Sequence, residues 1–275
     1  MRRQGDDSVP RGTAYDQAAP AFDRHRRLPD EVAQAIRAVI LDAIATTGRP
    51  RILEIGAGSG RAGRVFVVQG DEYVGLDSSA AMLRVFRQRA DMGNHHAPVL
   101  VQADGMQMPF PDASFDAVLL MQVLNAACDR RGIVAEAARV LRRNGQLVVG
   151  RLIAPDFGID SLMKRRLAEL LEPVDRDACL PRQADEDLRW LADSGCDRHV
   201  VTAASWNADR TPRGFLTRHA TGARFSRLPG PTRTAAMLRL HHWAIERFGS
   251  LDTVACENFR YELTICHLRG GLRTK

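Results

Sequence analysis

The chain predicts a doubly wound α/β fold, a mostly parallel sheet with helices on both faces. Three observations predict it. Seven short segments have the length and apolar character of strands: RILEI (51–55), EYVGLD (72–77), PVLVQAD (98–104), FDAVLLMQ (115–122), QLVVGRLI (146–153), HVVTAASW (199–206) and FRYELTICHLR (259–269). Amphipathic helical segments separate the early strands at regular intervals, as crossovers between parallel strands require. A glycine turn, GAGSG (56–60), sits at the first strand-to-helix junction. Right-handed crossovers then bring the C-terminal ends of the strands to one edge, where ligands bind.

Taken in order, residues 1–28 are polar, punctuated by Pro10, Gly12 and Pro20, and form a flexible segment. Its later part, AYDQAAPAFDRHRRLP, carries Tyr15 and Phe22 and is expected to fold back as a lid. Asp30 is expected to cap a helix in which Val32, Ile36, Ile40 and Ile44 share one face, before Gly48 and Pro50 end it. The alternation continues through helices GRAGRVFVVQG, SAAMLRVFRQRA and RRGIVAEAARVLRR. After Pro155 the rhythm changes, with helices expected at GIDSLMKRRLAELL, ADEDLRWLADSG, TPRGFLTRHATG and PTRTAAMLRLHHWAIERFG. We therefore divide the chain into the flexible 1–28, a ligand-binding core at 29–153, and a 154–275 half that completes the sheet and adds a helical cap.

Composition narrows the class. A chain of 275 residues that is 45% hydrophobic can fill a sizeable core. No apolar run approaches the ~20 residues of a membrane span, and no secretory h-region follows the N-terminal arginines, so a soluble cytoplasmic protein is expected. The five cysteines are widely spaced with no C-x-x-C pair, which reads as reduced, mostly buried thiols and no metal site. The net charge of +6 comes from arginines scattered along the chain and does not mark a nucleic-acid surface.

The glycine turn leaves a buried strand and enters a helix, so backbone N–H groups and the positive end of a helix dipole face the ligand. Its G-x-G-x-G spacing, with Arg61 next, departs from the G-x-G-x-x-G of dinucleotide binders. Glu54 precedes it, unsuited to a pyrophosphate but suited to a ligand bearing both an ammonium and a carboxylate. Asp77 ends the second strand, where a carboxylate accepts ribose hydroxyls, and Asp104 ends the third, where it accepts from an adenine amine. Three strand ends thus offer partners for an amino acid, a ribose and an adenine.

This set resembles the class I S-adenosylmethionine-dependent methyltransferases. The resemblance lies in E-x-G-x-G-x-G (Glu54–Gly60), GLDSS (75–79), AD (103–104), MPFPDASFDAV (108–118) and E-x-x-R-V-L-R-R-N-G (136–145), and covers about residues 30–153. The last two motifs are similar to those of the small-molecule branch that includes ubiquinone and menaquinone methyltransferases. The resemblance implies a Rossmann-like seven-stranded sheet with an antiparallel last strand, and S-adenosyl-L-methionine as cofactor. Glu54, Gly56, Ala57, Gly58 and Gly60 would hold its methionine part, Asp77 and Ser78 the ribose, and Ala103, Asp104 and Gly105 the adenine. Met82, Met121 and Gln122 complete the set, although core packing explains Met121 better than a catalytic role does. Where the family has P-G-G, this chain has Asn144–Gly145, a turn that Asn can make in left-handed geometry.

Beyond the fourth strand MQVLN replaces the D/N-P-P-Y/F loop of base-amino methyltransferases. Cys128 lacks the Pro-Cys context of cytosine C5 enzymes, and only Asp129 is available to a catechol-type magnesium site. A small-molecule acceptor remains, methylated on O, N or C by direct displacement at the sulfonium methyl. Asn125, Trp206 and Arg218 are candidate acceptor contacts, and His25, Tyr15 or His219 a candidate base. The partners expected are that small molecule and, at most, a second copy of the chain, with no nucleic acid and no membrane. A second reading keeps the cofactor without methyl transfer, as a cyclase or as a regulatory or structural module.

Overall fold

The computed structural model describes Asp16, Ala19 and residues 26–44, 46, 48–90, 97–124, 127, 129–171, 196–220 and 228–268. The core runs α1 (Asp30–Ala43), β1 (Arg51–Ile55), α2 (Arg64–Val68), β2 (Glu72–Asp77), α3 (Ala80–Ala90), β3 (Val99–Gln102), β4 (Phe115–Met121), α4 (Arg130–Val140) and β5 (Leu141–Ile153). The second half adds α5 (Ile159–Leu171), β6 (Cys196–Arg210), α6 (Pro212–Ala220), α7 (Gly230–Phe248) and β7 (Ala255–Leu268). The helix expected at ADEDLRWLADSG lies outside the described residues.

These strands form one seven-stranded sheet in the order β3-β2-β1-β4-β5-β7-β6. The first five pair in parallel, and β7 runs antiparallel to both β5 and β6. The chain direction across the sheet reverses between β1 and β4, which opens a crevice at their C-terminal ends. Alternate residues of β1 supply opposite cores: Ile52 joins Ile36, Phe66 and Phe86 under α1–α3, while Leu53 and Ile55 join Val134 and Ala137 under α4. A third cluster of Ile159, Met163, Leu167, Phe215, Leu240 and Leu251 holds α5, α6 and α7 together.

The β6–β7 pair outruns its neighbour. Pairing with β5 stops at Ile153↔Arg260, while β6 and β7 continue from Ser205↔Arg260 to Arg210↔Ala255. A two-stranded ribbon therefore projects past the C-terminal end of β5. Its extra length hides in the sequence because the inward positions alternate Trp206, Ala208 and Arg210, the last of which faces inward like its apolar neighbours.

Two expectations need correction. Asp30 is the first helical residue and does not cap α1: the N-cap is Pro29, and the Asp30 carboxylate bonds Arg27 Nη2 at 2.8 Å. Pro29 at the cap can offer no side-chain acceptor. Asn144 is not left-handed, since Ala113 and Gln122 are the positive-φ residues other than glycine among those described. The chain instead absorbs residues 142–145 in a bulge between Phe115↔Leu141 and Ala117↔Gln146. Gly145 permits it, because a Cβ there would lie 2.8 Å from Leu141 Cδ2. Among the described cysteines Cys196 and Cys266 are buried, in line with the expectation of mostly buried thiols, and Cys256 is exposed near the start of β7 on the outward side of the projecting ribbon.

The two family-like motifs that carry no ligand chemistry meet in space. Arg139 of α4 donates through Nη1 to the Phe110 carbonyl at 2.8 Å and through Nη2 to the Met108 carbonyl at 3.1 Å, while Glu136 accepts from Met108 N at 3.1 Å. EAARVLRRNG thus clamps MPFPDASFDAV, which leads from the end of β3 back into β4.

Candidate cofactor and acceptor site

The glycine turn closes β1 with Gly56, Gly58 and Gly60 at φ of 74°, 55° and 82°, all in the region that side chains avoid. Gly56 N and Ala57 N both donate to the Leu76 carbonyl of β2, at 2.8 and 3.0 Å. Space around the three glycines differs. A Cβ on Gly56 would lie 2.5 Å from Val123 Cγ2, and one on Gly60 would lie 2.4 Å from the Phe86 ring. On Gly58 the nearest atoms would be 3.9 and 4.0 Å away. The outer glycines are thus demanded by the protein's own packing, and the middle one leaves an open backbone face.

Asp77 binds that loop to the next helix. Its Oδ2 accepts from Gly58 N and its Oδ1 from Ser79 N, both at 2.8 Å. Burial raises its pKa, against the opposing effect of these N–H groups. Ser79 caps α3: its Oγ accepts from Met82 N at 3.2 Å and donates to Asp16 Oδ1 at 2.5 Å. This contact places Asp16 at the corner, and Ala19 is buried. Ser78 is exposed and Met82 buried.

Glu54 is 2% exposed and accepts from Tyr73 Oη at 2.5 Å. Burial is the largest influence on its carboxyl and pushes its pKa up to about 8, so the group keeps its proton at neutral pH. Beyond β3, Ala103 N donates to the Asp77 carbonyl at 3.2 Å, and Asp104 is exposed with Oδ1 accepting from Met106 N at 2.9 Å. Gly105 packs on Ile55, whose Cγ2 would lie 2.9 Å from an added Cβ.

At the end of β4 Met121 is buried in the core, as its packing role requires. Gln122 takes a left-handed φ of 63°, its N–H donating to the Gly150 carbonyl at 3.0 Å and its Oε1 accepting from Arg61 Nη1. A non-glycine residue there is uncommon. Sequence reasoning noted Arg61 only as the residue after the last glycine; its partner, 61 positions on, was not visible.

The acceptor-side candidates are more dispersed. Trp206 stacks on Phe259 with centroids 5.9 Å apart. Arg218 Nη2 donates to Asp160 Oδ1, and Arg210 Nε lies 3.2 Å from Asp160 Oδ2. His219 stacks on Phe215 at 3.8 Å, with Nδ1 3.1 Å from the Phe215 carbonyl. Burial lowers its pKa to about 4, which keeps the ring neutral at physiological pH. Tyr15, His25 and Asn125 lie outside the described residues.

Comparison with known proteins agrees with this architecture. Residues 53–149 match the methyltransferase domain family. A demethylmenaquinone methyltransferase of Tropheryma whipplei (strain Twist) is 32% identical over 150 residues, spanning 52% of this chain and 62% of that protein. The enzyme of that name from Clavibacter sepedonicus is 28% identical over 198 residues, 70% of this chain and 78% of that protein. The YcgJ protein from Bacillus subtilis has the same fold, with a TM-score of 0.53 and 21% identity over 84% of this chain and 97% of that one. The strand order and the glycine turn bound by Asp77 agree with that likeness, so over residues 53–149 this chain is similar to the methyltransferase domain family.

Proposed function

We propose that the protein transfers the methyl group of S-adenosyl-L-methionine to a small-molecule acceptor. The observation that carries this reading is Asp77, whose carboxylate joins Gly58 N to the start of α3 beside the open backbone face of Gly58. The residues fit the cofactor: Gly56, Ala57, Gly58 and Gly60 would line its methionine part with Glu54 behind them, Asp77 and Ser78 its ribose, and Ala103, Asp104 and Gly105 its adenine. Met82, Met121 and Gln122 would flank it. The bound cofactor supplies a sulfonium methyl, already activated for displacement.

The chain's own contribution is then to position the acceptor in line and keep water out. In this reading residues 29–153 form the cofactor core and 154–275 complete the sheet and cap the acceptor. Helices α5–α7, packed on one another beside the projecting ribbon, support that division. The names of the relatives point first to quinone-type acceptors; we further propose a biosynthetic step in the cytoplasm, without a nucleic-acid partner, by a chain able to pair with a second copy. No described helix is long and apolar enough to cross a membrane.

The test is incubation with methyl-labelled S-adenosylmethionine and a panel of quinols, phenols and amines. Release of S-adenosylhomocysteine with a labelled product is expected. Cofactor binding with no turnover across the panel would favour a protein that keeps the cofactor without transferring methyl.

A further inference from the structure

Arg61 is a cation for which the proposed function has no use. Its Nη1 bonds the Gln122 amide oxygen, and its Nε is buried with no acceptor among the described residues. No carboxylate among those residues pairs with it. Burial is the largest influence against its charge, the like charge of Arg210 adds to it, and Tyr261 acts the other way. Tyr261 locates the group: a Cβ on Gly150 would lie 2.9 Å from its Oη and 2.7 Å from Met121 Sδ. Arg61 therefore stands where the ends of β4 and β5 meet the β6–β7 ribbon.

The same face of the ribbon carries Arg210. Across the pair, Ala204↔Tyr261, Trp206↔Phe259 and Arg210↔Ala255 share one side. The Arg210 guanidinium lies 4.4 Å from the centre of the Phe259 ring, which stacks on Trp206. Among the described residues the carboxylate paired with it is Asp160, which is shared with Arg218. The remaining acid nearby, Glu257, already accepts from Ile159 N at the start of α5. Among the described residues, two guanidinium groups beside an aromatic pair thus carry more positive charge than Asp160 and Glu257, both also close to Arg218, offset, and a buried cation is costly unless paired.

We infer that Arg61 and Arg210 bind an anionic group of carboxylate or phosphate class on the methyl acceptor, and so select acceptors that carry one. This rests on the function proposed above. Another source of the same chemistry is the cofactor's own carboxylate, and the test separates the two.

The full chain, saturated with S-adenosylhomocysteine, is titrated by calorimetry with 4-hydroxybenzoate against its methyl ester, and with phenyl phosphate against phenol. In the wild type at least one charged member should bind about tenfold tighter than its neutral partner or more. Arg61→Gln and Arg210→Gln should each cut that preference below about threefold, with the Lys variants retaining part of it. Melting curves report folding, and the Lys variants keep the charge if a Gln variant does not fold. Equal binding of charged and neutral compounds, no binding of either charged compound at millimolar concentration, or an unchanged preference in both Gln variants overturns the inference. So does an Arg61→Gln variant that loses S-adenosylhomocysteine but keeps 5′-methylthioadenosine with its anion preference intact, because the guanidinium then serves the cofactor. The function reading is judged separately: a wild type that binds no S-adenosylhomocysteine sinks it, whichever way the anion titrations fall.

Discussion

Replacing Glu54 with Gln tests the buried acid directly. Gln keeps the side-chain shape and an oxygen to accept from Tyr73 Oη, but it cannot ionise. The carboxyl titrates near its usual 4.5 in the unfolded chain and near 8 in the folded one. Between these values the folded chain binds the extra proton, so its stability is full below pH 4.5 and falls as pH rises through 8. The difference of 8 − 4.5, at about 1.4 kcal/mol per pH unit, bounds the loss at about 5 kcal/mol. Side-chain relaxation and water entry raise the effective dielectric, and we expect about 2–3 kcal/mol. Urea unfolding at pH 5, 6.5 and 8.5, without ligand, should show the wild type losing that much relative to Glu54→Gln. Parallel pH profiles would refute the reasoning. If the same carboxyl faces the cofactor's ammonium, binding S-adenosylhomocysteine at pH 7 should also release a proton, seen by calorimetry in buffers of different ionisation enthalpy and absent in Glu54→Gln.

Three further outcomes are expected. Asp77→Ala removes the acceptor of both Gly58 N and Ser79 N, and should cost about 1–3 kcal/mol in urea unfolding and weaken S-adenosylhomocysteine by at least about tenfold; unchanged affinity would remove the ribose assignment. Gly60→Ala drives a Cβ to 2.4 Å from the Phe86 ring at a φ of 82°, and should cost about 2–4 kcal/mol; a cost well under 1 kcal/mol would mean that the turn has another geometry. Arg139→Ala leaves the Met108 and Phe110 carbonyls without their donor, and should cost about 1–3 kcal/mol and speed proteolytic cleavage within 104–114; an unchanged cleavage rate would show that the clamp does not hold this segment.

Periodicity and punctuation carried most of the fold. RILEI, EYVGLD and FDAVLLMQ announce buried strands because each is a short apolar run ended by a polar residue or a turn, and α1 shows its apolar face at helical spacing. The candidate cofactor residues were legible for the same local reason, since Gly56–Gly60, Asp77 and Asp104 each sit at the end of a strand. The helices after Pro155 were visible one by one, but the third core that joins α5, α6 and α7 was not. Asp30 and Asn144 misled because a capping or left-handed propensity is weak beside what the neighbouring chain imposes.

The sequence by itself determined the strands, the helices between them, the glycine turn and the acids that follow it. All of these depend on residues within a few positions of one another. Only the tertiary structure decided that β7 inserts between β5 and β6, that Gly56 and Gly60 are required by Val123 and Phe86, and that burial raises the pKa of the Glu54 carboxyl beside Tyr73. It alone brought Arg61 to Gln122 and set Arg210 on the Phe259–Trp206 stack. Charge state and close packing depend on the neighbours that folding supplies from distant positions, and no local pattern encodes which neighbours those will be.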